Sequence, residues 1–170
     1  MKWCEHYWYK IPCMKSRIEE IVRRVNGSGL KVGTTVLDAG CNEGFLSQAL
    51  IEAGCLVTSI DNNPEAIKNA DMMFGIKAIQ ADINYLPFED NTFDVAVGGE
   101  VLEHLGNPGQ GLRELFRVSR SRVIISLPLG AYWLGEPTHK WTIEAKTIEH
   151  DQGIITRHNK ELLVLEFIKK

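Results

Sequence analysis

Residues 34–45, TTVLDAGCNEGF, constrain the fold of this chain more than any other stretch. Val36, Leu37 and Ala39 form a short apolar run, the pattern of a strand buried on both faces of a parallel sheet. Asp38 interrupts the run, Gly40 and Gly44 follow, and Leu46, Ala49, Leu50 and Ala53 then recur with helical spacing. Strand, tight turn and helix in that order predict an α/β fold with a doubly wound, mostly parallel sheet. Ligands of such sheets bind beyond the carboxyl ends of the strands. A helix N-terminus there offers unpaired N–H groups and a positive dipole end. Gly40 is expected to turn the backbone sharply and leave room for a ligand, and Gly44 to let the helix start lie close to the strand.

The G-x-G-x-x-G fingerprint of dinucleotide sites is absent, because the chain from Gly40 reads GCNEGFL. Glu43 stands where a pyrophosphate would dock, and like charge there is unfavourable. A smaller group fits the turn better, such as an amino-acid head group whose ammonium meets Asp38. Asp61 ends the next apolar run, CLVTSID, where an acid can accept two hydrogen bonds from a ribose diol. Asp82 follows a third run, IKAIQAD. Three acids at successive strand ends are expected on one rim.

The order DAGCNEG, SIDNNP and ADINYLPFEDNTFDVAVGGEVLEHL resembles the class I S-adenosylmethionine-dependent methyltransferases. Within them it is most similar to the small-molecule branch that includes quinone-precursor methylases. The resemblance spans residues 36–128 and is most specific over 86–105. It departs at Asn42, where the family usually has glycine; Asn tolerates a left-handed backbone better than most residues. The resemblance implies a Rossmann-like methyltransferase sheet closed by an antiparallel C-terminal strand pair. It implies S-adenosylmethionine as methyl donor and a small-molecule acceptor. It puts Asp38, Gly40, Cys41, Asn42 and Gly44 around the methionine end of the donor, and Asp61 and Asn62 at the ribose. Asp82 and Ile83 fall at the adenine, and Gly99 and Glu100 beside the sulfonium. His104 and His139 are the candidate bases for an acceptor that must lose a proton, because histidine titrates near neutrality. The Asn-Pro-Pro-aromatic motif that some relatives use on amide or exocyclic nitrogens is absent; Gly-Gly-Glu stands in its place.

The whole chain, 1–170, is expected to form one domain. Residues 1–30 supply an aromatic segment (Trp3, Tyr7, Trp8, Tyr9) and a helix, 34–128 the donor-binding core, and 129–170 an acceptor-side loop and closing strands. The aromatic segment reads equally as edge packing or as a lid. The first helix is expected over about 14–25, with Ser16 and Glu19 as a capping box and Ile18, Ile21, Val22 and Val25 as its apolar stripe. Arg17, Arg23 and Arg24 are read as a solvated face. Asn63-Pro64-Glu65 predicts a strong helix start. Strands are expected over 55–60, 76–81, 93–97 and 122–127, with Gly98-Gly99 directly after the fourth and favouring close approach of a ligand. Asn107-Pro108 caps another helix. PLGAYWLGEPTHKW reads as an extended loop over the crevice, and 163–168 as a strand.

The net charge of −3 gives no general attraction to nucleic acid, and no apolar run approaches a membrane span. An arginine group (Arg113, Arg117, Arg120, Arg122) keeps RNA in view, but a solvated face accounts for it more simply. The N-terminus lacks the apolar stretch of a signal peptide, so a cytoplasmic protein with free thiols is expected. Cys4, His6 and Cys13 are a weak zinc signal, and no metal is expected. Oligomeric state is open. Two other readings compete: a donor-binding sensor or partner subunit without catalysis, and a nicotinamide-dependent oxidoreductase.

Overall fold

The computed structural model describes residues 12–27, 32–128, 153–157 and 162–169. The expectations for the aromatic segment, for Cys4 and His6, for the side chain of Cys13 and for residues 129–152 with His139 lie outside the described residues. The elements in chain order are α1 (Pro12–Asn26), β1 (Thr35–Ala39), α2 (Phe45–Glu52), β2 (Leu56–Asp61), α3 (Pro64–Phe74), β3 (Ile79–Gln80) and β4 (Phe93–Gly99). A 3₁₀ turn (Leu102–His104) precedes α4 (Pro108–Val118), β5 (Ser119–Pro128), β6 (Gly153–Arg157) and β7 (Leu162–Ile168).

The strands form one sheet in the order β3-β2-β1-β4-β5-β7-β6. The first five pair in parallel, and β7 runs antiparallel to both β5 and β6. The expected doubly wound sheet with its antiparallel C-terminal strands is therefore present. The chain order reverses between β1 and β4, so a crevice opens where these two strands end.

Side chains alternate along each strand and build a core on each face. Leu37, Ala96, Val123 and Ile125 meet Leu115 and Val118 of α4 on one face. Val36, Val95, Val97 and Ile124 meet Ile18, Ile21 and Val25 of α1 and Phe45, Leu46 and Leu50 of α2 on the other. Burial on both faces is why the strands read as continuous apolar runs. Among the described residues, no helix is long and apolar enough to cross a membrane.

Asn63 caps α3 as expected: its side chain accepts from Glu65 N at 3.0 Å, with Pro64 in the first turn. Replacing Asn63 with alanine is expected to cost about 1 kcal/mol, the usual worth of such a cap, read as a lower midpoint in urea. Asn107 caps α4 in the same way, accepting from Gln110 N at 3.1 Å.

Four expectations need correction. α1 begins at Pro12, so Ser16 and Glu19 lie inside the helix and form no capping box. β3 is two residues long, because Gly75 N and Ile76 N are drawn back to Asp71 O and Ala70 O in the cap of α3. Gly98 and Gly99 are the last residues of β4, not an exit after it. Arg17 and Arg24 are buried, at 8% and 5% exposure, rather than solvated. Arg122 is buried too, at 5%. Its guanidinium donates to Arg24 O, Val25 O and Glu166 Oε1 at 2.9–3.0 Å. Arg113, Arg117 and Arg120 are engaged with Gln110, Glu114, Asp90 and Asp94.

Candidate functional site

The loop between β1 and α2 is wound by three left-handed residues, Gly40 (φ 80°), Asn42 (φ 48°) and Gly44 (φ 85°). Asn42 thus takes the conformation expected of it. Gly40 N and Cys41 N both donate to Ile60 O at 2.9 Å, which ties the loop to the end of β2. Asn42 N donates to Asp61 Oδ2 at 2.8 Å. Asp61 Oδ1 accepts from Asn63 N at 2.9 Å. One half-buried carboxylate therefore fixes both the glycine loop and the entry to α3.

The glycines serve closer packing than the sequence suggests. A Cβ on Gly40 would lie 2.5 Å from Val101 Cγ2, so Val101 fills the space on that side of the loop. A Cβ on Gly44 would meet Ile76 and Ala70 at 3.1–3.2 Å, so the close approach is to α3 and its exit rather than to the strand. At Gly99 the same atom would meet Leu46 Cδ2 at 3.1 Å, and at Gly98 Leu115 and Val101 at 3.3 Å. At both positions the space a Cβ would take is filled by core side chains of the two faces.

Asp38 shares the parity of Val36 and points beneath the loop towards α2. It is 1% exposed. Its Oδ2 accepts from Ser47 Oγ at 2.6 Å, and Ser47 Oγ also pairs with Ser59 Oγ at 2.7 Å. Asp38 Oδ1 has no protein partner. Burial pushes the carboxyl up to about 6, opposed by the Ser47 hydrogen bond and the Arg17 charge, with Asp61 adding to the rise. Cys41 is buried, and desolvation holds its thiol well above the ordinary range.

The other predicted residues lie at the same rim but do not form one surface. Asp82 is exposed and accepts from Asn84 N at 2.8 Å. Ile83 is turned inward, 5% exposed, within the α4-side core. Asn62 is exposed, and its carbonyl accepts from Gln80 Nε2 at 3.3 Å. Glu43, expected to repel a pyrophosphate, instead accepts from Asn69 Nδ2 at 3.3 Å. His104 is half-buried at the end of the 3₁₀ turn.

Beyond β4 the backbone at Glu100 is left-handed (φ 53°), and its N–H donates to Ser126 O at 3.1 Å. The Glu100 carboxylate forms an ion pair with Arg17 of α1. Three residues on, Glu103 is 1% exposed, and among the described residues neither carboxylate oxygen has a well-formed hydrogen bond. Burial pushes its carboxyl up to about 7, opposed by a hydrogen bond from its own backbone N–H and by the Arg17 charge.

Ser47 was not singled out from sequence, Arg17 was read only as solvated, and Glu103 only as part of the segment that the resemblance puts at the donor site. A signal for Arg17 does exist: Arg17, Ile21 and Arg24 keep the i, i+4, i+7 spacing of a buried helix face. Glu103 carries no such signal.

Glu103 makes stability depend on pH. The folded protein keeps this proton where an unfolded glutamate, titrating near 4.3, has lost it. The group costs nothing near pH 4, and stability falls as pH rises towards 7. Glu103→Gln is therefore expected to raise the melting temperature by several degrees at pH 8 and leave it unchanged at pH 4.

A family model described as "Methyltransferase domain" matches residues 37–127. The ubiquinone biosynthesis O-methyltransferase of Xylella fastidiosa (strain M23) is 39% identical over 98 residues, 54% of this chain and 38% of the relative. The protein of that name from Caulobacter vibrioides is 30% identical over 134 residues, 64% of this chain and 52% of the relative. The chain thus spans about half or less of the length of these curated relatives. Among solved structures, magnesium protoporphyrin IX methyltransferase from Synechocystis PCC 6803 with bound SAM superposes with a TM-score of 0.69 at 20% identity, covering 90% of this chain and 78% of that one. A SAM-dependent methyltransferase from Aquifex aeolicus does so with a TM-score of 0.69 at 22% identity, covering 90% and 97%. At these identities the likeness is one of fold.

Proposed function

The chain belongs to the methyltransferase domain family, and from that premise we propose that it transfers a methyl group from S-adenosylmethionine to a hydroxyl oxygen of a small-molecule acceptor. The observation that carries the proposal is the Asp61 carboxylate. It stands at the β2 end, already anchors the glycine loop, and lies beside the β1/β4 switch point. The oxygen acceptor is supported by the names of the curated relatives.

The residues fit such a donor. Asp38 Oδ1, buried and without a protein partner, takes the ammonium of the methionine end. The left-handed loop from Gly40 through Asn42 to Gly44, with Cys41 packed beneath it, shapes the cradle. Asp61, with Asn62 beside it, receives the ribose diol, and Asp82 at the exposed end of the rim receives the adenine amine. Ile83 supports that end from within the core. Gly99 and Glu100 border the sulfonium side.

Bound there, the donor supplies a methyl group already activated by a positive sulfur. The protein's task is to hold the acceptor oxygen in line and exclude water, and such positioning can supply roughly 7–11 kcal/mol of a barrier. His104 is positioned at the rim to take the hydroxyl proton, and His139 remains its alternative.

The test is calorimetric titration with S-adenosylmethionine and S-adenosylhomocysteine, with NADH as comparator, followed by methyl-labelled donor and a panel of small phenols. Micromolar binding of both sulfur compounds and label on a phenol oxygen are expected. Failure of both to bind would overturn the proposal. NADH binding instead would favour an oxidoreductase, and donor binding without turnover on any acceptor a sensor.

A further inference from the structure

Among the described residues, the crevice between β1 and β4 is bordered by more carboxyl groups than Arg17 neutralises. Asp38 stands at the β1 end, and Glu100 and Glu103 lie beyond β4. Arg17 reaches in from α1 and is paired with Glu100. That leaves Glu103, 1% exposed, with neither oxygen in a well-formed hydrogen bond among the described residues, although its own backbone N–H favours the charged form, and Asp38, 1% exposed, with one oxygen unmet. Ser126 Oγ, at the β5 end, is likewise buried without a partner.

Unmet buried acceptors of this kind cost free energy unless something is bound that repays them. A packing role alone would be served better by an apolar residue. α4, which also packs on the 3₁₀ turn, meets Leu102 and Leu105 through Gly111. The charge that acts on Glu103 is Arg17 on α1, which is paired with Glu100 and also acts on Asp38, where Asp61 opposes it; His104 is next in the turn.

We propose that Glu103 sets the charge preference of the donor site, favouring the sulfonium of S-adenosylmethionine over the neutral thioether of S-adenosylhomocysteine. The inference rests on the donor reading above and deepens it. A carboxylate in a desolvated setting attracts a cation at short range far more than in water. The neutral product gains nothing from that field and leaves, so the residue distinguishes substrate from product without touching the transferred methyl.

A second consequence concerns protons. Glu103 is held partly protonated near neutrality. A bound cation favours its ionised form, so binding of the sulfonium donor releases a proton and strengthens as pH rises from 6 to 8. Binding of the thioether does neither.

The test is calorimetry on wild type and Glu103→Gln with S-adenosylmethionine and S-adenosylhomocysteine, at pH 6 and pH 8, in two buffers of different ionisation enthalpy. In wild type the preference for the sulfonium compound is expected to grow with pH, with proton release seen for that compound alone. In E103Q the preference falls about tenfold, the scale on which one charge acts on another in partly desolvated protein, while thioether affinity is unchanged. Equal weakening of both compounds in E103Q, or no change in their ratio, would overturn the inference, as would a pH-independent ratio in wild type. If neither compound binds wild type, it is the donor reading itself that fails.

Discussion

Replacing Asp61 with alanine is expected to lower affinity for S-adenosylmethionine by more than about 100-fold. The carboxylate is proposed to accept two ribose hydrogen bonds, and bonds to a charged group are worth about 1.5–3 kcal/mol each. Their joint loss exceeds about 3 kcal/mol, and every 1.4 kcal/mol is tenfold in affinity. The loss is compounded because the same carboxylate holds Asn42 N at 2.8 Å and Asn63 N at 2.9 Å. Without it the loop between β1 and α2 loses its side-chain tether at Asn42 and is held to β2 only through the Ile60 carbonyl. Asp61→Asn keeps the shape and one acceptor, so it is expected to fall between wild type and alanine. Titration calorimetry reads both, with a thermal melt to show that the variants are folded. Alanine affinity within about threefold of wild type would remove Asp61 from the donor site.

Replacing Arg122 with alanine is expected to give the largest loss of stability, about 3–5 kcal/mol, the usual result of removing one partner from a buried charge pair. Arg122 reaches from β5 to the last turn of α1, donating to Arg24 O at 2.9 Å and Val25 O at 3.0 Å. It also holds Glu166 of β7 at 2.9 Å. Arg24 in turn binds Glu20 at 2.7 Å and approaches Glu166 at 3.5 Å. One guanidinium thus satisfies two helix carbonyls and holds the half-buried Glu166 carboxylate, which Arg24 reaches only at 3.5 Å. For a chain of this size the melting temperature is expected to drop by roughly 10 °C. Arg122→Lys preserves the charge but not the planar fork, so it should recover only part of the loss. An alanine variant melting within about 2 °C of wild type would show that the network adds nothing net.

Much of the fold was legible because its signals are local. The apolar run of β1, the turn residues after it and the helical period of α2 are written within residues 34–53. The Asn63-Pro64-Glu65 start of α3 and the Asn107-Pro108 start of α4 depend on groups two or three residues apart, and both formed as read. β7 announced itself by composition, as strongly β-favouring segments do. The errors arose where local signals met long-range ones. Ser16 and Glu19 have the spacing of a cap, yet the helix had already begun at Pro12. The expected third strand lost its first residues to the cap of α3.

The candidate site divides the same way. That Gly40, Asn42 and Gly44 would adopt left-handed backbone could be read from residue type, because few other residues tolerate it. That Asp61 would stand at a strand end could be read from the run before it. Which side chains fill the spaces beside those glycines could not, since Val101 lies 61 positions from Gly40 and is brought there only by the β1–β4 crossover. Nor could sequence show that Arg17 meets Glu100, or that Glu103 is buried within reach of the same Arg17 charge. By itself the sequence determined the strands, turns and caps, because backbone preference and hydrophobic period act over a few residues. Only the tertiary structure decided which charges are buried and which of them are paired, because burial and pairing depend on elements that the chain order keeps far apart.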